Sequence, residues 1–169
     1  MSQLTGNERA AYVQNMFTRI AKRYDLMNRL MTGGQDIRWR KMVIKLARVT
    51  NSASLLDLGT GTGDLAREAA TQFPQAKVIA SDFTHEMMRV GKRISALNFS
   101  TADALKLPFN DSSFDAVISG FLMRNVIDLQ KALEEQLRVL KPVGRIVILY
   151  TTITKKNIIS PFIWIHMHF

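Results

Sequence analysis

Residues 55–66 read LLDLGTGTGDLA: an apolar run, three glycines at every second position, then the start of an amphipathic run. Glycines so closely spaced let the backbone turn sharply and let a ligand come close to the main chain. The residues before them suit a buried strand and those after them a helix, so Gly59, Gly61 and Gly63 mark a strand–loop–helix junction of the nucleotide-binding kind. A blander alternative is that the glycines only let a helix pack tightly on a strand. It loses weight because an acid closes each of the next two strand-like segments, first Asp82 and then Asp103.

The identity of the bound group follows from what the loop lacks. A dinucleotide fingerprint, G-x-G-x-x-G, needs its third glycine at position 64, and the chain has Asp64 there. A carboxylate at a helix start repels a diphosphate, and Asp57 adds a second negative charge just upstream. No G-x-x-x-x-G-K-[ST] run is present either. S-adenosylmethionine meets the requirements: it carries sulfonium and amino groups, and a ribose diol that needs a carboxylate. Asp82, 23 residues after Gly59, stands where a ribose-binding acid belongs. A methyl donor is expected, not a dinucleotide.

The pattern outward from the loop is α/β. Residues 54–59, 77–82, 98–103, 114–120 and 145–151 read as strands. Helices are expected at 64–73, at 84–97 with Thr84 as its cap, and over a stripe of Leu129, Leu133, Leu137 and Leu140 that stops at Lys141-Pro142. Strands alternating with helices imply a mostly parallel sheet whose ligands bind beyond the strand C-terminal ends. The glycine loop, Asp82, Asp103 and Ser119–Asn125 all fall at such ends. Residues 1–50 read as helices instead, with stripes at Tyr12, Val13, Met16, Phe17 and Ile20 and at Trp39, Met42, Val43, Leu46 and Val49, broken by Gly33-Gly34. They form a helical lid or substrate cap over a core of residues 51–169, in one domain overall.

Composition narrows the function. There are no cysteines, which excludes disulfides and cysteine–zinc sites and fits a cytoplasmic setting. The N-terminus has no signal-peptide pattern. The apolar stretch at 158–169 contains Pro161 and falls short of the ~20 residues a membrane span needs. Residues 1–50 hold ten Lys/Arg against three Asp/Glu, whereas residues 51–169 hold thirteen against eleven. A head of charge +7 on a body of +2 suggests an anionic partner, with a well-solvated helical face as the plain alternative. Nucleic acid receives little support, since neither zinc-finger spacing nor an RNA-binding aromatic cluster occurs.

At this point the chain resembles a family, the quinone C-methyltransferases that methylate demethylmenaquinone or the ubiquinone precursor. The resemblance rests on VQNMFTRIAKRYDLMNRLMTGG with DIRWRK, on LLDLGTGTGDLA, SDFTHEMM and LPFNDSSFDAV, and on FLMRNVIDLQKALEEQLRVLKP. The glycine loop alone indicates only class I methyltransferases; MF-x-x-IA-x-RYD-x-x-N, G-x-x-x-x-WR and RNV-x-D are far more specific. The resemblance implies a Rossmann-like seven-stranded sheet, S-adenosylmethionine as donor with S-adenosylhomocysteine as product, and a prenylated hydroquinone as acceptor. It assigns Thr62, Asp82, Asp103 and Ala104 to the donor, to which the loop adds Asp57, Gly59, Thr60, Gly61, Gly63 and Phe83. Departures are Leu122-Met123 where the family reads Gly-Leu before Arg124, Val143 where it reads Gly, and Tyr150-Thr151-Thr152 where it carries a glutamate. The C-terminal strands, including the antiparallel edge hairpin, are expected to be missing.

Carbon methylation needs an electron-rich ring, best obtained by ionising a neighbouring phenol whose free pKa is near 10. Arg124 is the main candidate to favour the phenolate, with Asn125 holding it and Asp128 orienting it; an ordinary ion pair with Asp128 is the competing reading. Tyr24, Asp25 and Asn28 face donor or acceptor, or else cap helices. His85 is a weaker base candidate, and His166 with His168 lack a third metal ligand, so no metal is expected. Met16, Met27 and Met31 are placed to line a path for an isoprenoid tail. Such a substrate partitions into bilayers, so peripheral docking on anionic lipid through the basic helices is expected. Two rivals stay open: a methyltransferase with another small acceptor, and a non-catalytic donor-binding or assembly protein. Homodimerisation through the sheet edge or residues 157–169 stays open as well, without a spacing to support it.

Overall fold

The computed structural model describes residues 6–150. Helix α1 (Gly6–Ile20) continues through a 3-10 turn (Ala21–Arg23) into α2 (Tyr24–Met31), and α3 spans Gln35–Ala47. Then come β1 (Ser54–Leu58), α4 (Asp64–Gln72), β2 (Lys77–Asp82), α5 (His85–Ile94), β3 (Asn98–Thr101), β4 (Phe114–Gly120), α6 (Leu129–Val139) and β5 (Leu140–Leu149). The five strands are all parallel, in the order β3-β2-β1-β4-β5. Chain order therefore reverses between β1 and β4, which makes their C-terminal ends the switch point where ligands of such sheets bind.

The central strands β2, β1 and β4 are buried on both faces. One face of β1 places Leu55 against Val43, Ile44, Leu65, Ala66 and Ile118, and the other places Leu56 and Leu58 against Val117, Ala132 and Val139. Each fully buried Leu, Val or Ile of this kind contributes about 1.5–3 kcal/mol. The continuous apolar run Leu55–Leu56 reflects this two-sided burial, as parallel strands require.

Strand positions follow the expected ones closely, but helix faces differ. On α6 the leucine stripe points inward only in part: Leu129 is 51% and Leu137 61% exposed, Leu133 is half-buried and Leu140 packs against the core, while Ala132, Gln136 and Val139 are buried. The short Ala132 side chain lets the helix axis come close to the sheet, and Leu129 and Leu137 are turned to the flank. On α3 the buried face is Val43, Ile44 and Ala47, leaving Met42 and Leu46 exposed. Within residues 1–50, then, α1 and α2 cover the strand ends while α3 packs into the core. Thr84 does precede α5, but its side chain makes no capping bond.

The fifth strand begins at Leu140 rather than at Arg145. Phe114 pairs with Leu140 and Ala116 with Arg145, so Lys141–Gly144 bulge out between two paired positions. Val143 sits at the crest, fully exposed at φ 62°, a left-handed conformation that suits glycine and strains a β-branched residue. Among the described residues no helix is long and apolar enough to cross a membrane. His166, His168 and the 157–169 segment lie outside the described residues.

Candidate active site

The glycine loop leaves β1 with Gly59, Gly61 and Gly63 at φ 68°, 59° and 91°. This left-handed path carries the chain tightly over the strand ends to α4 and is open only to glycine at little cost. Two carboxylates hold it. Asp82, at the end of β2, accepts the Gly61 N–H at 2.8 Å through Oδ2 and the Thr84 N–H at 2.7 Å through Oδ1. Its loss of water raises its pKa, and those backbone hydrogen bonds draw it back down. Asp57, completely buried on β1, accepts the Thr60 hydroxyl at 2.5 Å and the Ala66 N–H at 3.0 Å through Oδ2.

The second oxygen of Asp57, Oδ1, is buried and has no hydrogen-bond partner. Burial pushes this carboxyl up to about 7, against the pull of the Thr60 and Ala66 bonds. A nearby cation reverses such a shift and supplies the missing donor. Asp57 borders a side cavity of about 50 Å³ shared with Tyr24, Gly59 and Gly61. The N-terminus of α4, by contrast, already holds a carboxylate: Asp57 takes the Ala66 N–H. Asp64 is not the bare charge the sequence suggests, because Arg40 and Arg67 both pair with it. A diphosphate finds this helix end already capped, and an ammonium finds an acceptor waiting. The residues present fit S-adenosylmethionine.

A cavity of about 220 Å³ opens beyond the loop. Gly59, Gly61, Asp82, Phe83, Asp103 and Ala104 border it, so these six expected donor-site residues are brought together. Thr60 and Thr62 turn elsewhere: Thr60 serves Asp57, and Thr62 donates to Asp25 of α2 at 2.6 Å. Asp103 caps its own turn by accepting the Leu105 N–H at 2.9 Å.

The lid closes the other side. Val13 and Phe17 of α1 and Tyr24 of α2 line the cavity, with Phe17 and Tyr24 edge to face at 5.7 Å. Gln14 donates to the Phe83 carbonyl at 3.4 Å and Arg9 to the Arg124 carbonyl at 2.9 Å, so α1 bridges the loops after β2 and β4. Gln14 and Arg9 carry no motif; only their place on the polar flank of the Val13–Phe17 stripe marks them. Burial raises the pKa of the Tyr24 phenol, while a hydrogen bond with Asn28 and the charge of Arg124 lower it.

The three expected catalytic positions separate. Asn125 lines the cavity, its side chain donating to the Phe121 carbonyl at 3.3 Å. Arg124 is exposed, with its guanidinium 5.9 Å over the Phe121 ring. Asp128 caps α6 by accepting the Lys131 N–H at 3.0 Å; that capping bond, rather than Arg124, is its hydrogen-bonded role. His85 is exposed, 3.4 Å from the Thr101 hydroxyl. No cluster of three metal-ligating side chains occurs among the described residues.

The pattern that defines the ubiE/COQ5 methyltransferase family matches residues 4–166. The chain belongs to the ubiE/COQ5 methyltransferase family. It is 46% identical over 160 residues to the ubiquinone/menaquinone biosynthesis C-methyltransferase UbiE of Desulfotalea psychrophila, a match covering 93% of this chain and 65% of that one. It is 46% identical over 139 residues to the demethylmenaquinone methyltransferase of Thermus thermophilus, covering 79% and 63%. The chain thus spans a little under two thirds of the length of these relatives. A solved SAM-dependent methyltransferase from Aquifex aeolicus shares the fold, with a TM-score of 0.61 at 23% identity over 70% of this chain and 66% of that one. The fold is the class I methyltransferase fold, and membership of the ubiE/COQ5 family implies S-adenosylmethionine as the cofactor.

Proposed function

We propose that the protein is an S-adenosylmethionine-dependent C-methyltransferase acting on a prenylated hydroquinone of the menaquinone or ubiquinone type, and that it works on a membrane surface. The observation that carries this reading is the unpartnered Asp57 oxygen beside a glycine loop tied to Asp82, in a chain of this family. When bound, S-adenosylmethionine supplies an electrophilic methyl group on a sulfonium. Gly61 allows close approach to the main chain, the free lone pairs of Asp82 accept ribose hydroxyls, and Asp57 Oδ1 accepts an ammonium. Val13, Phe17, Phe121 and Ile127 offer an apolar wall to the ring and its tail.

Arg124 biases the acceptor phenol toward phenolate. Burial raises the pKa of the Tyr24 phenol, which borders the same cavity, and the charge of Arg124 opposes that rise, so the electrostatic effect has the needed sign. Replacing Arg124 by Gln, which removes the charge, is expected to leave S-adenosylhomocysteine affinity unchanged and to cut methyl transfer to a short-chain naphthohydroquinone about 100-fold. Parallel loss of binding and turnover removes Arg124 from the chemistry. Because the guanidinium lies over Phe121 on the exposed side, a second reading keeps some support: a donor-binding protein without turnover. Wild-type chain that binds S-adenosylhomocysteine and methylates neither naphtho- nor benzohydroquinone establishes that reading instead.

Docking on anionic lipid is supported by the exposed Leu26, Met27 and Leu30 of α2, interleaved with the basic residues Lys22, Arg23 and Arg29. Sedimentation with phosphatidylglycerol-containing vesicles is expected to carry the protein down at low salt, and pure phosphatidylcholine to leave it in solution. Equal weak binding to both removes the lipid surface as a partner.

A further inference from the structure

We propose that Leu122 is a specificity-determining residue that occupies the amino-acid end of the donor site and must move before a full-length donor is seated. The proposal rests on the donor reading given above. Leu122 follows β4, Gly59 follows β1, and the two loops meet at the switch point of the sheet. A methyl group built on Gly59 would stand 2.8 Å from Leu122 Cδ1 and 3.0 Å from its Cβ. The open side of the first glycine, the side that lets a ligand reach the backbone, is therefore filled by the chain's own leucine.

The backbone holds Leu122 there. Phe121 adopts φ 60° and donates its N–H to the Leu149 carbonyl at 2.9 Å, which turns the chain sharply off β4. The Leu122 carbonyl then accepts the Asn125 N–H at 2.8 Å, closing a turn that aims the side chain across the cavity. Relief has to come from the side chain beyond Cβ, since the Phe121 N–H and the Leu122 carbonyl are both held.

Position along the sheet says which part of a ligand feels the block. Asp82 ends β2 and Asp103 follows β3, so the nucleoside half belongs on that side of the cavity. Gly59 and Leu122 lie on the opposite side, at β1 and β4, with the unpartnered Asp57 oxygen nearby. The homocysteine arm has to pass Leu122, and the nucleoside does not.

The test is calorimetric titration of wild-type, Leu122→Ala, Leu122→Val and Leu122→Met chains with two ligands. These are S-adenosylhomocysteine and 5′-methylthioadenosine, a nucleoside thioether without the amino-acid arm. Leu122→Ala is expected to bind S-adenosylhomocysteine about fivefold tighter, as removal of an unfavourable rotamer change predicts, with Val between and Met like wild type. The affinity for 5′-methylthioadenosine is expected to stay within about twofold across the series. Equal or weaker S-adenosylhomocysteine binding by Leu122→Ala overturns the proposal while leaving the donor reading intact, and an equal gain for both ligands overturns it as well. If wild type binds neither ligand, the donor reading fails and takes this proposal with it. A circular-dichroism melt run on each variant identifies any that does not fold; should Ala fail, the order Val over Leu decides.

Discussion

Replacing Asp82 by alanine is expected to weaken S-adenosylhomocysteine binding by about 100-fold or more, the largest effect of any single change at the site. Two contributions add. A ribose diol bonded to a carboxylate makes hydrogen bonds to a charged group, each of about 1.5–3 kcal/mol. The same carboxylate also holds the loop itself through the Gly61 and Thr84 N–H groups, both of which alanine leaves without their acceptor. Asp82→Asn separates the two, because the amide oxygen can retain one loop bond while the charge is lost. Asn is expected to fall between wild type and Ala, with a melting temperature closer to wild type. Calorimetric titration of the three chains is the measurement. Alanine binding as tightly as wild type would remove Asp82 from the ribose position and with it the reading of the loop.

How far this site could be read in advance depended on whether a residue's role is local. Gly59, Gly61 and Gly63 are needed for a backbone path that only glycine takes cheaply, and that need is written in their spacing. Asp82 and Asp103 follow from strand length, since a parallel sheet delivers whatever ends its strands to one edge. The strands themselves were legible because burial on both faces demands unbroken apolar runs such as Leu55–Leu56. Helix faces were not. The leucine stripe of α6 has the right period, yet Leu129 and Leu137 face out, because a buried alanine brings a helix closer to a sheet than a leucine can.

Residues acting across the fold were legible least. Thr62 belongs to the donor loop in sequence, yet its hydroxyl ties that loop to Asp25 of the lid, 37 residues earlier. Asp57 looked like one of two repelling charges; it is instead a buried cap for α4 with one oxygen to spare, and Asp64 is neutralised by Arg40 and Arg67. The partners of Asp64 come from α3 and α4, elements that a single-sequence pattern cannot place against each other. Asp128 looked like a guide for Arg124 and acts as a helix cap, the commonest use of an aspartate one residue before a helix.

Gly91 shows the same limit in a form that can be tested against a simple rule. It lies inside α5, where glycine normally weakens a helix by about 1 kcal/mol relative to alanine. Propensity alone therefore predicts that Gly91→Ala is stabilising. The packing predicts the reverse: a Cβ on Gly91 would stand 2.5 Å from the Thr62 carbonyl and 2.6 Å from the Phe99 ring. Thr62 lies in the donor loop and Phe99 on β3, so neither neighbour is the free end of a flexible chain. Overpacking of this kind costs about 1–3 kcal/mol, and contact with backbone at such a distance puts it at the upper end. The net expectation is a loss of about 2 kcal/mol, a fall in melting temperature of roughly 4–8 °C for a chain of this length. The loop must also shift away from α5, which moves Gly61 and Gly63 relative to Asp82. Binding of S-adenosylhomocysteine is therefore expected to weaken at temperatures where Gly91→Ala is still fully folded. A higher melting temperature with unchanged binding would show that helix propensity outweighs the contact, and that the donor loop does not rest on α5.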